Sequence, residues 1–188
     1  MSKDFFVSDT HFGHSKEFLW KKRGFTSIEE HDEAIFNNIM AVANQNDTLW
    51  NLGDVYLTQL SDQNRGRLAT IAASFKKAFV LPGNHDTPSK IKLLQEIGYI
   101  IQPSFTEFRH DYTISHPPVH TCQLESAYTE NGDGRFKANI HGHLHTGIVP
   151  DKHGKPDKRY RCVSMEQIGN KPISWEELEQ EFRKNKVI

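Results

Sequence analysis

The chain has 188 residues and a formal net charge of −1, so no strong field of either sign marks nucleic acid or a membrane surface as its partner. This length fits a single domain, spanning residues 1–188, with a sizeable core. Two cysteines outside any CxxC pair exclude a disulfide scaffold, and no stretch approaches the roughly 20 apolar residues of a membrane span. We therefore expect a cytoplasmic protein with no membrane partner, while its oligomeric state stays open.

The first half of the chain alternates between strand and helix patterns. Short apolar runs predict strands at 5–7, 48–52 and 78–81, and apolar residues at helical spacing predict helices at 15–22, 28–42, 60–73 and 88–97. Ser27 followed by Glu30 has the pattern of a capping box at the start of the second helix. Thr87 can cap the fourth helix, with Pro88 at its first position.

The second half changes character towards hairpins. Residues 105–109 and 112–115 read as a strand pair, and a long polar loop over 117–135 follows. Two more strands are predicted at 138–141 and 160–164, and a capping box of Ser174 and Glu177 starts a closing helix. Strand–helix alternation followed by hairpins predicts an α/β fold, a sandwich of mixed sheets.

Nearly every predicted core strand ends in a short block rich in His, Asp and Asn. The five blocks are Asp9–His11, Gly53–Asp54, Gly83–Asp86, Ser115–His116 and Gly142–His145. Because sites in open α/β sheets assemble at the carboxyl ends of strands, we expect the blocks to converge. In the first and last blocks the polar residues stand two apart, and on extended backbone such residues point to the same face.

The residue types in these blocks predict a centre for two divalent metal ions. Mixed nitrogen and oxygen donors without cysteine favour Mn, Fe, Zn, Ni or Co over a structural zinc site. Two ions about 3.5–4 Å apart can share a hydroxide that attacks phosphorus. Seven ligands serve two ions economically only if one carboxylate bridges, and Asp54 is the predicted bridge. His85 is then left to protonate the leaving-group oxygen, with Asp86 orienting its ring.

The order of the blocks resembles the signature of the calcineurin-like metallophosphoesterases, which runs DxH, GD, GNHD/E, H and GHxH. The resemblance implies a two-sheet mixed β sandwich flanked by helices, with His85 as the catalytic imidazole. It implies two sets of metal ligands that share Asp54, and we expect manganese to be the favoured ion. The first set is Asp9, His11, Asp54 and His145, and the second is Asp54, Asn84, His116 and His143.

Smaller motifs favour the single-domain prokaryotic and phage type of this family. The run DTHFGH at residues 9–14, followed by Arg-Gly-Phe at 23–25, is similar to that branch, with glycine where proline is common. The predicted function is therefore that of a phosphodiesterase or phosphatase acting on a small nucleotide-like phosphate ester. Two alternatives stay open, a nuclease on single-stranded or cyclic nucleic acid and a non-catalytic scaffold of the same fold. The basic segment 152–161 is the support for the nuclease.

Several residues near the blocks have two interpretations. His14 either contacts the leaving group or a further ion, or caps the helix behind it. Arg23 either reaches a substrate phosphate as a bidentate donor or forms a surface salt bridge. We expect His141 to be a hydrogen-bonded core residue, His31 to be solvated, and the 117–135 loop to shape the pocket.

Overall fold

The computed structural model describes residues 2–124 and 134–188. In chain order its elements are β1 (Asp4–Val7), α1 (Glu17–Lys22), α2 (Ile28–Met40), β2 (Thr48–Asn51), α3 (Asp62–Ser74), β3 (Lys77–Val80), α4 (Pro88–Glu96), β4 (Ile100–Ile101), β5 (Phe105–Phe108), β6 (Tyr112–Ser115), β7 (Ala138–His141), β8 (Tyr160–Cys162), β9 (Ile173–Ser174) and α5 (Trp175–Lys184). Tyr128, which we expected to help shape the pocket, lies outside the described residues. No helix among the residues described is long and apolar enough to cross a bilayer.

The strands form two mixed sheets. The first has the order β4-β3-β2-β1-β9, in which β1 to β4 run parallel and β9 is antiparallel to β1. The second has the order β5-β6-β7-β8, in which a hairpin continues into two parallel pairs. The predicted α/β fold with two mixed sheets is confirmed. The sequence missed β4 and β9 because each has only two residues, too few to show a period.

Alternating side chains of the first sheet build two hydrophobic cores. Phe5 and Val7 face a core that also takes in residues of α2, α3 and α4. Phe6, between them, faces a second core made with the inner face of the second sheet and with α5. Because successive side chains of a strand point to opposite faces, one short apolar run serves both layers. The first sheet is therefore covered by helices on one face and by the second sheet on the other.

The two predicted capping boxes differ in the structure. Ser174 accepts the amide N–H of Glu177, whose carboxylate in turn accepts the N–H of Ser174, so this box at the start of α5 is complete. Ser27 likewise accepts the N–H of Glu30, but the Glu30 carboxylate bonds to Thr26 instead. Both hydroxyls satisfy an otherwise unpaired amide at a helix start.

The two sheets meet at the carboxyl ends of their strands. Ser8, directly after β1, forms an isolated parallel bridge with Ser164, which lies two residues beyond β8. The Ser8 carbonyl also accepts the N–H of Met165 at 3.2 Å. This contact brings the loops that follow the parallel strands of both sheets to one edge of the sandwich, where all five polar blocks lie.

Candidate metal centre

The backbone is left-handed at five non-glycine positions within the polar blocks. Positive φ angles between 50° and 69° occur at Asp9, His11, Asp54, His143 and His145. Our expectation that the residue pairs standing two apart lie on extended backbone is therefore wrong. These residues turn the chain in the loops after β1, β2 and β7, so residues two positions apart can approach the same centre. Such conformations cost a non-glycine residue of order 1–3 kcal/mol and collect at functional sites.

A first cluster of donor atoms gathers around the Asp9 carboxylate. Its Oδ1 atom lies 3.9 Å from Nε2 of His11 and 3.7 Å from Nε2 of His145. The two imidazole rings are stacked, with centroids 5.3 Å apart. One donor atom from each of the three residues falls within 4.8 Å of the others, a spacing that can close on one ion.

A second cluster gathers around the Asn84 amide oxygen. That oxygen lies 3.0 Å from Nε2 of His116 and 2.8 Å from Nδ1 of His143. Oδ2 of Asp54 lies 3.3 Å from the same Nε2 of His116. The four residues come from the loops after β2, β3, β6 and β7, so strands of both sheets supply this cluster.

The carboxylates of Asp9 and Asp54 lie between the two clusters. Donor atoms of Asp9, Asp54 and His116 also lie within 4.8 Å of one another. Either carboxylate is therefore placed between the two donor sets, and Asp54 as the single bridge stays a prediction. Both are buried, so water contributes little to their solvation.

Three buried donor atoms of the first cluster lack a hydrogen-bond partner within the described chain. They are Oδ1 of Asp9 and both ring nitrogens of His11. Buried polar atoms in native proteins are almost always paired, because an unpaired one costs its full desolvation energy. Oxygen and nitrogen atoms left facing one another in this way fit a divalent cation, which would satisfy all of them at once.

Hydrogen bonds fix the orientation of two further imidazoles. Nδ1 of His116 lies 2.7 Å from the carbonyl oxygen of Leu52, and Nδ1 of His145 lies 2.9 Å from Oε1 of Glu166. In each ring Nδ1–H is the donor, and Nε2 points into its cluster, where it can offer a lone pair once it carries no proton. This arrangement is the usual one for metal-binding histidines, whose second nitrogen donates to an oxygen outside the metal shell.

The protonation states follow from burial and from these contacts. Burial, reinforced by the nearby Arg23 cation, lowers the pKa of His11 to about 3, so this ring is neutral with a lone pair to offer. Burial alone would raise the pKa of Asp54, but its hydrogen bond and attraction to His116 lower it to about 2. The same pairing raises the pKa of His116 against the effect of burial. Asp54 is therefore a carboxylate throughout the physiological range.

His85 lies at the open side of the centre. Its imidazole is 48% exposed, and its Nε2 is 4.0 Å from Oδ2 of Asp54. Its backbone N–H donates to the other oxygen of the same carboxylate at 2.8 Å. The ring is thus anchored beside the donor clusters while one face is left to solvent.

Asp86 does not orient that ring. Its carboxylate accepts three backbone N–H groups instead, those of Asp54, Val55 and Gly83. Burial raises the pKa of Asp86 in spite of these three donors. The residue follows His85 in sequence, but the chain turns between them and directs the carboxylate into the backbone. Asp86 therefore holds the loops after β2 and β3 together.

Comparison with known proteins decides what kind of centre this is. Residues 5–187 match the family model described as calcineurin-like phosphoesterase. The chain belongs to the calcineurin-like phosphoesterases. It is a metallophosphoesterase of a family that depends on divalent metals, and the resemblance seen in its motifs is confirmed.

Individual relatives of this phosphoesterase are distant. It is 27% identical over 190 residues to the uncharacterized protein MJ1445 of Methanocaldococcus jannaschii, covering 100% of this chain and 96% of that one. It is 28% identical over 178 residues to the gene 66 protein of Mycobacterium phage L5, covering 81% and 82% of the two chains. The crystal structure of the protein of unknown function AQ665 from Aquifex aeolicus has the same fold, with a TM-score of 0.68, 24% identity and coverage of 96% and 99%.

Arg23 in this phosphoesterase is buried, with no exposed side-chain surface. It donates to Oε1 of Glu166, to the carbonyl oxygens of Asp9 and Thr10, and to Nε2 of His31. Both interpretations drawn from the sequence are therefore wrong, because each of its three nitrogen atoms already donates within the protein and none of its side chain is at the surface. His31, expected to be solvated, is fully buried as its partner.

The other two histidines near the blocks lie inside the protein. Only 6% of His14 is exposed, its ring packs edge-on to His11, and its Nδ1 accepts the N–H of Lys16, the residue that precedes α1. The bond satisfies the N–H of the residue before α1, and the helix itself has no side-chain capping hydrogen bond, so both roles considered for His14 stay predictions. Burial and the Arg23 charge lower the pKa of His14. His141 is buried and its Nδ1 lies 2.8 Å from the carbonyl oxygen of Gly142, as expected for a hydrogen-bonded core histidine.

Glu166 is the functional residue that the sequence did not reveal. It belongs to none of the five blocks, yet its Oε1 lies against Nδ1 of His145. Burial would raise the pKa of Glu166, but the hydrogen bond to His145 and the charge of Arg23 lower it to about 2. The signal that could have found it is its place four residues after β8, at the same carboxyl edge as the blocks.

Proposed function

We propose that this phosphoesterase uses two divalent metal ions, with manganese favoured, to hydrolyse mono- or diesters of small nucleotide-like molecules. The observation that carries the proposal is the pair of donor clusters joined through Asp9 and Asp54, whose atoms lie within 4.8 Å of one another and of His116. One ion alone would leave the Asn84 cluster or the His11 cluster without a partner. Two ions sharing carboxylates use both.

The residues that would hold the ions follow from the two clusters. Asp9, His11 and His145 would hold one, Asn84, His116 and His143 the other, and Asp54 would bridge them. When bound, such a pair supplies an activated water and neutralises charge on the phosphoryl oxygens. The complete donor set also argues against the scaffold alternative, which requires lost ligands.

His85 is the residue we assign to proton transfer. Its ring is half-exposed beside Asp54, where a leaving group can reach it from solvent. The backbone hydrogen bond to Asp54 fixes its distance from the centre. A neutral alcohol is a far better leaving group than an alkoxide, so a proton delivered to the ester oxygen contributes typically 10²–10⁴-fold in rate.

Phe18 supports a nucleotide-like substrate. This ring on α1 is 61% exposed, so it is not packed under the first loop. It lies edge-on to His14, with centroids 5.6 Å apart, and His14 is at the same distance from His11. The Phe18 ring is separated from the metal-ligand candidate His11 by the His14 ring alone. An exposed flat apolar surface at this place is suited to stacking a base while the phosphate lies on the metal centre.

The nuclease alternative gains little from the structure. Arg159 pairs with Asp157 and Arg161 with Glu181, so two cations of the basic segment are neutralised by neighbours. A long nucleic acid is recognised through free cations that contact its phosphates. A nuclease therefore stays a prediction that an activity panel can decide.

The test uses protein stripped of metal and reloaded with Mn²⁺. We expect two equivalents to bind and to restore hydrolysis of cyclic and linear nucleotides in preference to single-stranded DNA. Asp54→Ala should lose both ions, because a bridge serves two sites. A wild type that binds no metal, or that stays inactive on every ester when loaded, would overturn the proposal.

The substrate assignment has its own test in Phe18→Ala. Loss of stacking worth about 1–3 kcal/mol predicts a KM for nucleotides raised about 5- to 150-fold, with KM for glycerol phosphate unchanged. Ile100→Ala, which trims an exposed side chain on the edge strand β4, is the matched control and should alter neither. Equal KM values for nucleotides in Phe18→Ala and wild type would refute the stacking role.

A further inference from the structure

A buried network of hydrogen bonds contacts the donor cluster around Asp9. The network described below does not include a residue of the cluster around Asn84. Arg23 is its centre, with Nη2 2.7 Å from the carbonyl oxygen of Asp9 and Nη1 3.3 Å from that of Thr10. These bonds hold two successive peptide groups, the one that joins Asp9 to Thr10 and the one that joins Thr10 to His11. A planar guanidinium suits this task, because its donors are fixed relative to one another.

On one side the network reaches a metal ligand through Glu166. A single carboxylate oxygen, Oε1, accepts from Nε of Arg23 at 3.0 Å and from Nδ1 of His145 at 2.9 Å. With Nδ1–H committed in this way, only Nε2 of His145 can offer a lone pair, and it lies 3.7 Å from Oδ1 of Asp9. Glu166 thus selects the tautomer and the direction of the ring.

On the other side the network reaches the far end of the first loop. Nη1 of Arg23 donates to Nε2 of His31 at 2.9 Å, and Nδ1 of His31 donates in turn to Asp32 at 2.8 Å. The second oxygen of Asp32 accepts the backbone N–H of Gly13 at 2.9 Å. The loop that carries Asp9 and His11 is therefore held at both ends by one chain of hydrogen bonds.

Stability does not account for this arrangement. Burying an ion pair costs desolvation energy that its attraction often fails to recover, so such pairs are weak evidence of a stabilising role. Oε2 of Glu166 is itself buried with no hydrogen-bond partner among the described residues. A carboxylate kept buried with one oxygen unpaired is better explained by the position it imposes on His145.

We propose that Glu166 and Arg23 are positioning residues for one metal subsite only, the one formed by Asp9, His11 and His145. This inference rests on the proposed two-metal function. The other subsite has a different support, since Nδ1 of its His116 donates to the backbone oxygen of Leu52 and needs no side chain. Removal of Glu166 should therefore weaken the two ions unequally.

The experiment is calorimetric titration of metal-free protein with Mn²⁺. His145→Ala and His143→Ala first identify which of the two binding steps belongs to which subsite. Glu166→Ala should weaken the His145 step about 10- to 100-fold, the usual cost of removing a group that orients a metal ligand, and leave the other step unchanged. In Glu166→Ala at limiting metal, the EPR signal of a coupled Mn²⁺ pair should be replaced by that of an isolated ion. Glu181→Ala, which breaks the Arg161 ion pair on α5, is the matched control and should change neither step.

Each outcome bears on one claim. A wild type without two Mn²⁺ steps overturns the proposed function, whereas two intact steps in Glu166→Ala overturn the positioning role alone. Equal weakening of both steps also overturns it, because that result indicates general loss of packing. If circular dichroism shows Glu166→Ala to be unfolded, Glu166→Leu decides by the same criteria, since it keeps most of the volume but has no acceptor for Nδ1 of His145. In a His145→Ala background the loss of Glu166 should have no further effect on binding.

Discussion

Gly83 offers the sharpest test of how the two loops of the centre fit together. A Cβ atom at this position would lie 2.5 Å from the backbone nitrogen of Asp54 and 2.8 Å from its carboxyl carbon, and closer still to Oδ1. Real Cβ contacts are essentially never shorter than 3.0 Å. Gly83→Ala must therefore move the Asp54 backbone by about half an ångström, where metal–ligand distances tolerate about 0.2 Å.

Two effects of Gly83→Ala can be separated by measurement. Overpacking costs about 1–3 kcal/mol, and we expect the upper end because the clash is with backbone that no side-chain rotation relieves. Urea unfolding of the metal-free variant measures this strain, which corresponds to a Tm lower by roughly 6–12 °C. Displacement of Asp54 should in addition weaken Mn²⁺ binding by at least about 10- to 100-fold.

Gly66→Ala is the matched control for this substitution. Gly66 lies inside α3, and a Cβ there would meet nothing within 4 Å. Alanine should therefore stabilise the helix by about 0.5–1 kcal/mol and leave metal binding unchanged. If metal-free Gly83→Ala unfolds at the same urea concentration as wild type, or binds Mn²⁺ with wild-type affinity, the close approach of the two loops is not as described.

Three further predictions concern the centre itself. His85→Ala should keep both metal ions and lose about 10²–10⁴-fold in kcat; unchanged kcat at full occupancy would remove the ring from the reaction. The pKa of Glu166 is lowered from 4.5 to about 2, so the ionised carboxylate favours the folded metal-free protein above pH 4.5, and this pH-dependent contribution is lost as the pH falls towards 2. Glu166→Gln should accordingly cost less stability at pH 3.5 than at pH 7 in urea unfolding, and a pH-independent difference would contradict the lowered pKa. Mn²⁺ at about 100 times the Kd of each of the two sites should stabilise wild type by about 5 kcal/mol in thermal unfolding but leave Asp54→Ala unchanged, and an equal shift in both would place the ions elsewhere.

The fold was largely predictable because its information is local. Apolar runs such as 5–7 and 78–81 identify strands, and the polar blocks follow them because strand ends in parallel sheets share an edge. What local patterns could not supply is the identity of distant partners. Arg23 and Glu166 are 143 residues apart, so neither the burial of one nor the role of the other appears in any sequence window. Asp86 shows the same limit at short range, since a turn decides where the carboxylate next to His85 points.

The left-handed backbone at five polar positions favours metal binding at a cost in the stability of the metal-free protein. Each strained residue lowers the free energy of unfolding of the empty protein, and glycine at the same position would relieve the strain while deleting a donor. The folded chain thus holds its donor atoms in place before any ion arrives, and an ion need not reshape the loops to bind. Variants selected only for heat resistance without metal should accumulate changes at these five positions. Each such change would raise the free energy of unfolding and lower the enzymatic activity.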